Sequence, residues 1–336
     1  MIKEAIAKLV SCGDLSRNES GLAMEEIMTG EALPTQIAAF LTAMRMKGET
    51  LDEIVGAAEV MRRHVTKIKT KHPVLLDTCG TGGDECSTFN VSTVAAFVAA
   101  GAGVIVAKHG NRSVSSKCGS ADLLKSLGIN IEAEEQIISK CLDETGIGFL
   151  FAPALHKAMK YAIEPRRQIG IRTIFNILGP MTNPAGATNQ LLGVYDRGLT
   201  EPIAEALGKL GSRHALVVHG KDGLDEVTTT SKTQISELKN GRVRTYVVSP
   251  RDFGIKRAAP GDLKGGDHSE NAKIATDILS GEKGPKYDIV ILNAGCAIYA
   301  ADKASSIKEG VKLAQESIES GMALGKLQSL KEATNT

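Results

Sequence analysis

The sequence contains no tryptophan, and aromatic residues make up only 4% of its 336 positions. Its core must therefore be built from Ala, Leu, Ile and Val, as in parallel sheets covered by helices. An excess of one charge is also missing: 40 Lys and Arg stand against 39 Asp and Glu, for a formal net charge of +1. That balance argues against bulk electrostatic binding to nucleic acid or to an anionic membrane. The six cysteines have no CxxC spacing and no accompanying His cluster, which speaks against a zinc site and fits a reducing compartment. The opening residues, MIKEAIAKLV, carry Glu4 and no uninterrupted apolar run, so a signal peptide is not expected. A Ser-His-Asp relay with a GxSxG elbow is likewise missing.

The remaining composition, 42% apolar and 24% charged, is that of an ordinary globular protein, long enough for one large domain and a smaller one. One stretch is uncharged over roughly the length of a bilayer span: FNVSTVAAFVAAGAGVIVA, residues 89–107. Asn90, Ser92, Thr93 and the GAG at 101–103 divide it, and predict a helix of about ten residues, a turn and a strand.

The first 65 or so residues read as helices. Ser16-x-x-Glu19 and Thr50-x-x-Glu53 match the capping box, Pro34 suits the first turn of a third helix and Gly48 its stop. A basic stretch, RRHVTKIKTKH (62–72), reads as a solvated linker ahead of Pro73. Beyond it, apolar runs at 74–78, 104–109, 147–152, 191–195, 215–219, 244–248 and 289–293 read as strands, most of them separated by helical segments. The expected fold is α/β: a large domain (73–336) with a mostly parallel central sheet flanked by helices. A small all-helical N-terminal domain (1–66) precedes it, with helices from about 155–185 returning to join it.

Three loops carry the chemistry. DTCGTGGDECSTFNVST (77–93) places a glycine turn between a strand and a helix opening near Asn90. No GK[ST] follows, and Glu85 occupies the third glycine position of the dinucleotide fingerprint. A strand end followed by amide donors at a helix start favours an anion. KHGNRSVSSKCGSADLL (108–124) then offers Lys108, His109, Asn111 and Arg112 with hydroxyls at Ser113, Ser115, Ser116 and Ser120, a set suited to a diphosphate. HGKDGLDEVTTT (219–230) bunches Asp222, Asp225 and Glu226, hard oxygen ligands that beside phosphates point to Mg²⁺. His109 and His156 are candidate bases, although a lone histidine is more often a binding or packing residue.

CGTGGD (79–84), NVST (90–93), KHGNRSVSS with GSAD (108–122), IRTIFNILGPMTNP (171–184) and DGLDE (222–226) together resemble the anthranilate phosphoribosyltransferases of tryptophan biosynthesis. The resemblance runs in order over nearly the whole chain, including LSRNES and IMTGE in the helical unit. It implies transfer of the phosphoribosyl group of phosphoribosyl pyrophosphate to the amine of anthranilate, in the cytoplasm, by a homodimer formed through the helical domain. It also implies two Mg²⁺ per monomer, held by Ser92, Asp225 and Glu226. The donor would be bound by Gly80, Gly83, Asp84, Thr88, Asn90, Val91, Ser92, Thr93, Lys108, His109, Gly110, Asn111, Arg112, Ser115, Ser116 and Ser120. Anthranilate would lie near Gly80, Asn111, His156 and Arg166, with Lys108, Asn111 and Arg166 positioning the reactants rather than acting as acid or base. Where many relatives have Pro-Val before that arginine, this chain has Glu164-Pro165-Arg166-Arg167, so Arg167 is the alternative carboxylate ligand.

Two other readings compete. A pyrimidine nucleoside phosphorylase shares the glycine turn but usually carries KHSTGG ahead of it and an extra C-terminal domain. A non-catalytic nucleic-acid binder using 62–72 would be expected to lose the DGLDE acids or gain basic charge, and neither is seen.

Overall fold

The computed structural model describes residues 1–82, 88–112 and 118–336. Four helices open the chain: α1 (Ile2–Val10), α2 (Arg17–Thr29), α3 (Pro34–Lys47) and α4 (Leu51–His64). Both expected capping boxes form: Ser16 caps α2 with Glu19, and Thr50 caps α4 with Glu53. Each cap satisfies amides that the helix start leaves unpaired, worth about 1 kcal/mol. Pro34 starts α3 and Gly48 ends it.

The remainder is built on seven strands: β1 (Leu76–Gly80), β2 (Val106–Gly110), β3 (Ile147–Phe151), β4 (Asn189–Gly193), β5 (His214–Gly220), β6 (Thr233–Lys239) and β7 (Arg242–Val248). Their order is β3-β2-β1-β4-β5-β6-β7, with the first five parallel and the last two antiparallel. The chain winds outward from β1 to β3 and then returns to β4 on the other side of β1. Ligands bind at such a reversal point, outside the carboxyl ends of the strands. The uncharged stretch becomes α5 (Val91–Gly101), a turn through Gly103, and β2. Among the described residues no helix is long and apolar enough to cross a membrane.

Two expectations about strands need correction. The run IVILN (289–293) lies inside the helix Pro285–Ala300, not in a strand. Its sixteen residues, opened by Gly284-Pro285, are too long for a strand, and the continuous apolarity reflects burial on nearly every side. Conversely, β6 was not expected. Its signal is Asn240-Gly241, both at positive φ (52° and 71°), the turn that joins twisted hairpin strands.

The basic stretch 62–72 is also less solvated than expected. Arg62 donates to the carbonyls of Met181 and Leu210, each at 2.7 Å, and Val65 and Ile68 are buried. The segment 160–181 packs on the N-terminal helices: Ala162, Phe175, Ile177 and Leu178 share one apolar core with α1–α4 and with Leu192, Val194 and Val217 of the sheet side. The opposite sheet face is covered by α5 and the helices Pro285–Ala300, Ile307–Glu319 and Met322–Thr334.

Candidate active site

The glycine turn leaves β1 beside the end of β4, where the Thr81 amide donates to the Gly193 carbonyl at 2.9 Å. Above this pair crosses the loop that follows β5. A Cβ at Gly193 would overlap the Asp225 carbonyl oxygen, and one at Gly80 would lie 2.7 Å from Asp225 Oδ2. Two strand-end glycines thus let an acidic loop lie directly on the sheet edge. There Asp225 Oδ2 accepts the Gly82 amide at 3.0 Å, and Glu226 Oε1 accepts the Ser92 amide at 3.2 Å. Ser92 is in the first turn of α5, where exposed amides favour a negative group.

Lys108 is buried on β2, with Nζ donating to the Thr78 carbonyl and lying 3.5 Å from Ser92 Oγ. Burial lowers its pKa, opposed by the nearby Asp77 carboxylate. Asp77 is fully buried; burial pushes its pKa up to about 6, while Lys108 and three hydrogen bonds pull it back. Those bonds come from Asn183 Nδ2 at 2.8 Å, the His109 amide at 3.0 Å and the Cys79 thiol. Asp77 thus bonds from β1 to the backbone of β2 and holds the ends of the two strands together. Neither Asp77 nor Asn183 was singled out in the sequence; an acid inside the apolar run VLLDT was the available signal.

Next to Lys108 on β2, His109 begins a second buried cluster. His109 and His156 face each other with Nε2 atoms 3.1 Å apart, both buried. Burial, reinforced by His156 and Lys108, lowers His109 to about 3, and burial alone lowers His156 to about 4. Both rings are neutral at pH 7, and one must donate to the other. Arg166 lies with its guanidinium 5.0 Å from the centre of the Phe175 ring and has no carboxylate partner among the described residues. Arg167 points outward instead and pairs with Glu164 at 2.7 Å. The two arginines therefore have different surroundings: Arg166 is packed on an aromatic ring, and Arg167 faces solvent in an ion pair.

Other expected residues have the following partners. Asp222 accepts the hydroxyls of Thr228 and Thr230. Thr88 bridges to Lys264, and the Asn90 side chain joins the Cys118 carbonyl to Asn271. Arg112 stacks on Phe151 and pairs with Glu132 at 3.4 Å. Gly110 ends β2 and Asn111 follows it; the Asn111 carbonyl accepts Ser120 Oγ at 3.1 Å at the start of α6 (Ser120–Ser126). Val91 is buried, and Thr93 Oγ1 is buried with no hydrogen-bond partner among the described residues. Gly83, Asp84, Ser115 and Ser116 lie outside the described residues. Among those described, no group of three or more His, Cys, Asp or Glu could hold a metal.

The sequence and fold have close counterparts. Residues 3–65 match the helical bundle domain of the glycosyl transferase family, and residues 72–324 match that family's a/b domain. The anthranilate phosphoribosyltransferase of Moorella thermoacetica is 57% identical over 330 residues, covering 98% of this chain and 97% of its own. The crystal structure of the Thermus thermophilus enzyme of that name superposes with a TM-score of 0.93 at 42% identity, covering 99% of each chain. The Saccharomyces cerevisiae enzyme, solved in complex with PRPP and Mg, gives 0.90 at 31% identity, covering 99% of this chain and 98% of its own. With its helical bundle, its sheet and nearly its full length matched, the chain belongs to the anthranilate phosphoribosyltransferases of the glycosyl transferase family.

Proposed function

We propose that this chain transfers the phosphoribosyl group of phosphoribosyl pyrophosphate to the amine of anthranilate, releasing pyrophosphate, in tryptophan biosynthesis. The observation that carries the reading is the Asp225–Glu226 pair bound to the amides of Gly82 and Ser92, which joins the acidic loop to the glycine turn and to the start of α5. The donor would lie along the glycine turn, the start of α5 and the loop after β2.

The donor set of Asp225, Glu226 and the Ser92 hydroxyl is all hard oxygen, which suits Mg²⁺, an ion that uses one or two protein carboxylates and fills its shell with water and phosphate. We assign two such ions per monomer to these three residues. Bound there, Mg²⁺ neutralises the charge that builds on the departing pyrophosphate. Lys108 adds a fixed positive charge behind Ser92. Arg166 anchors the anthranilate carboxylate by charge-assisted hydrogen bonds, and the neutral His109–His156 pair walls the acceptor away from water. An aniline-type amine is already neutral at pH 7, so positioning matters more than a strong base.

The active form is read as a cytoplasmic homodimer joined through the helical domain, residues 1–66 with segments from 155–185, beside the catalytic domain 73–336. Exposed Leu33, Met46 and Ile163 on that unit favour this arrangement. Mass spectrometry of a mixture with anthranilate, phosphoribosyl pyrophosphate and Mg²⁺ tests the function. One N-(5-phosphoribosyl)anthranilate per pyrophosphate is expected. Phosphorolysis of thymidine or uridine without that product would overturn the reading.

A further inference from the structure

The helix Pro285–Ala300 is almost wholly apolar and buried, yet one fully buried amide interrupts it at Asn293. A buried amide is costly unless its polar atoms find partners. All of this one's do, and two of its three bonds go to a single residue. Oδ1 accepts the Val227 amide at 2.9 Å, and Nδ2 donates to the Val227 carbonyl at 2.9 Å. The second Nδ2 hydrogen reaches the Ile289 carbonyl, one turn back in the helix, also at 2.9 Å, and so fixes the side chain's orientation.

Val227 directly follows Glu226. On its other side the loop is held by Asp225 lying on Gly193, and by the Gly220 amide donating to the Leu224 carbonyl at 2.8 Å. Beyond it, the Thr228 amide donates to Thr233 Oγ1 at 3.0 Å. Asn293 thus grips, from a helix outside the sheet edge, the backbone of the residue next to the acidic pair. An apolar residue would fill the helix face at lower cost, and would leave both Val227 backbone groups buried without partners.

We propose that Asn293 is a positioning residue: through its clamp on Val227 it sets the backbone from which Asp225 and Glu226 present their carboxylates to metal-bound pyrophosphate. The inference rests on the metal role assigned above. Groups that orient metal ligands from behind typically alter metal affinity or activity by about 10- to 100-fold when changed.

The test uses Mn²⁺ as a probe, with binding to the full-length protein in the presence of pyrophosphate followed by electron paramagnetic resonance. Asn293→Leu removes the whole clamp. Asn293→Asp keeps the side-chain volume and the acceptor for the Val227 amide, and carries the test should the leucine variant not fold. Expected are Mn²⁺ binding weakened about 10- to 100-fold, a matching rise in the Mg²⁺ needed for half-maximal turnover, and an unchanged KM for anthranilate. A folded variant with a lowered melting temperature but wild-type Mn²⁺ affinity overturns the proposal, because Asn293 would then only stabilise the helix. Failure of the wild type to take up Mn²⁺ overturns the underlying metal role as well, and shows in the unmutated protein.

Discussion

The two halves of the site are built on opposite principles. On the side proposed for the donor, carboxylates rest on backbone amides at the sheet edge, and a buried lysine stands behind them. On the side proposed for the acceptor, two imidazoles have lost their charge to burial, and one arginine stacks on a phenylalanine. Under the proposed assignment, the contrast is what the two reactants would require. A departing pyrophosphate gains charge and needs fixed counter-charge held without reorganisation. A neutral amine gains little from a charged wall, and needs exclusion of water and one anchor for its carboxylate.

The strongest way to break this division is on the donor side. Asp225→Asn combined with Glu226→Gln should lower kcat by about 1000-fold or more at saturating donor, with no recovery across a Mg²⁺ titration. Gly193→Ala attacks the same side from below, since its Cβ would overlap the Asp225 carbonyl oxygen. Displacing the loop by about an ångström should cost about 100-fold in kcat, measured alongside a thermal melt that separates misplacement from unfolding. On the acceptor side, Arg166→Ala should raise the KM for anthranilate about 10- to 100-fold with kcat much less affected, the size of a lost charge-assisted bond.

The acceptor side also leaves a pH signature. Folding holds His109 near 3 and His156 near 4, against an ordinary 6.5. As pH falls below about 6.5 the unfolded chain therefore binds protons that the folded chain refuses. Stability from this pair is complete above about pH 6.5 and declines as pH drops toward 4 and then 3. Melting temperatures between pH 7 and pH 4.5 should fall, and His156→Asn should flatten the decline. The smallest effect expected is that of Arg167→Ala, whose solvent-facing pair with Glu164 should leave the KM for anthranilate within about twofold of wild type.

Much of this was legible in the sequence where local chemistry and tertiary role coincide. Capping boxes, Pro34 and Gly48 act within one helix turn, and their residue types announce them. The three loops were readable because they concentrate Gly, Ser and acids at strand ends, the residue types that phosphate and Mg²⁺ recognition draws on. What was missed depends on distant partners. Asp222 looks like its acidic neighbours until its bonds to Thr228 and Thr230 are seen. Arg166 and Arg167 are adjacent, and only the packing of Phe175 and Glu164 distinguishes their surroundings. IVILN reads as a strand because full burial removes the periodicity that distinguishes a helix, and with it went the significance of Asn293. The hairpin turn Asn240-Gly241, by contrast, was a local signal and could have been read.

The separation of the two halves is tested most directly by the initial rate of anthranilate fluorescence loss in Arg166→Ala, titrated against both Mg²⁺ and anthranilate. The anthranilate curve should shift to higher concentration while the Mg²⁺ curve stays where it is in the wild type. A shift in the Mg²⁺ curve, or an anthranilate curve that does not move, would contradict the division of labour described above.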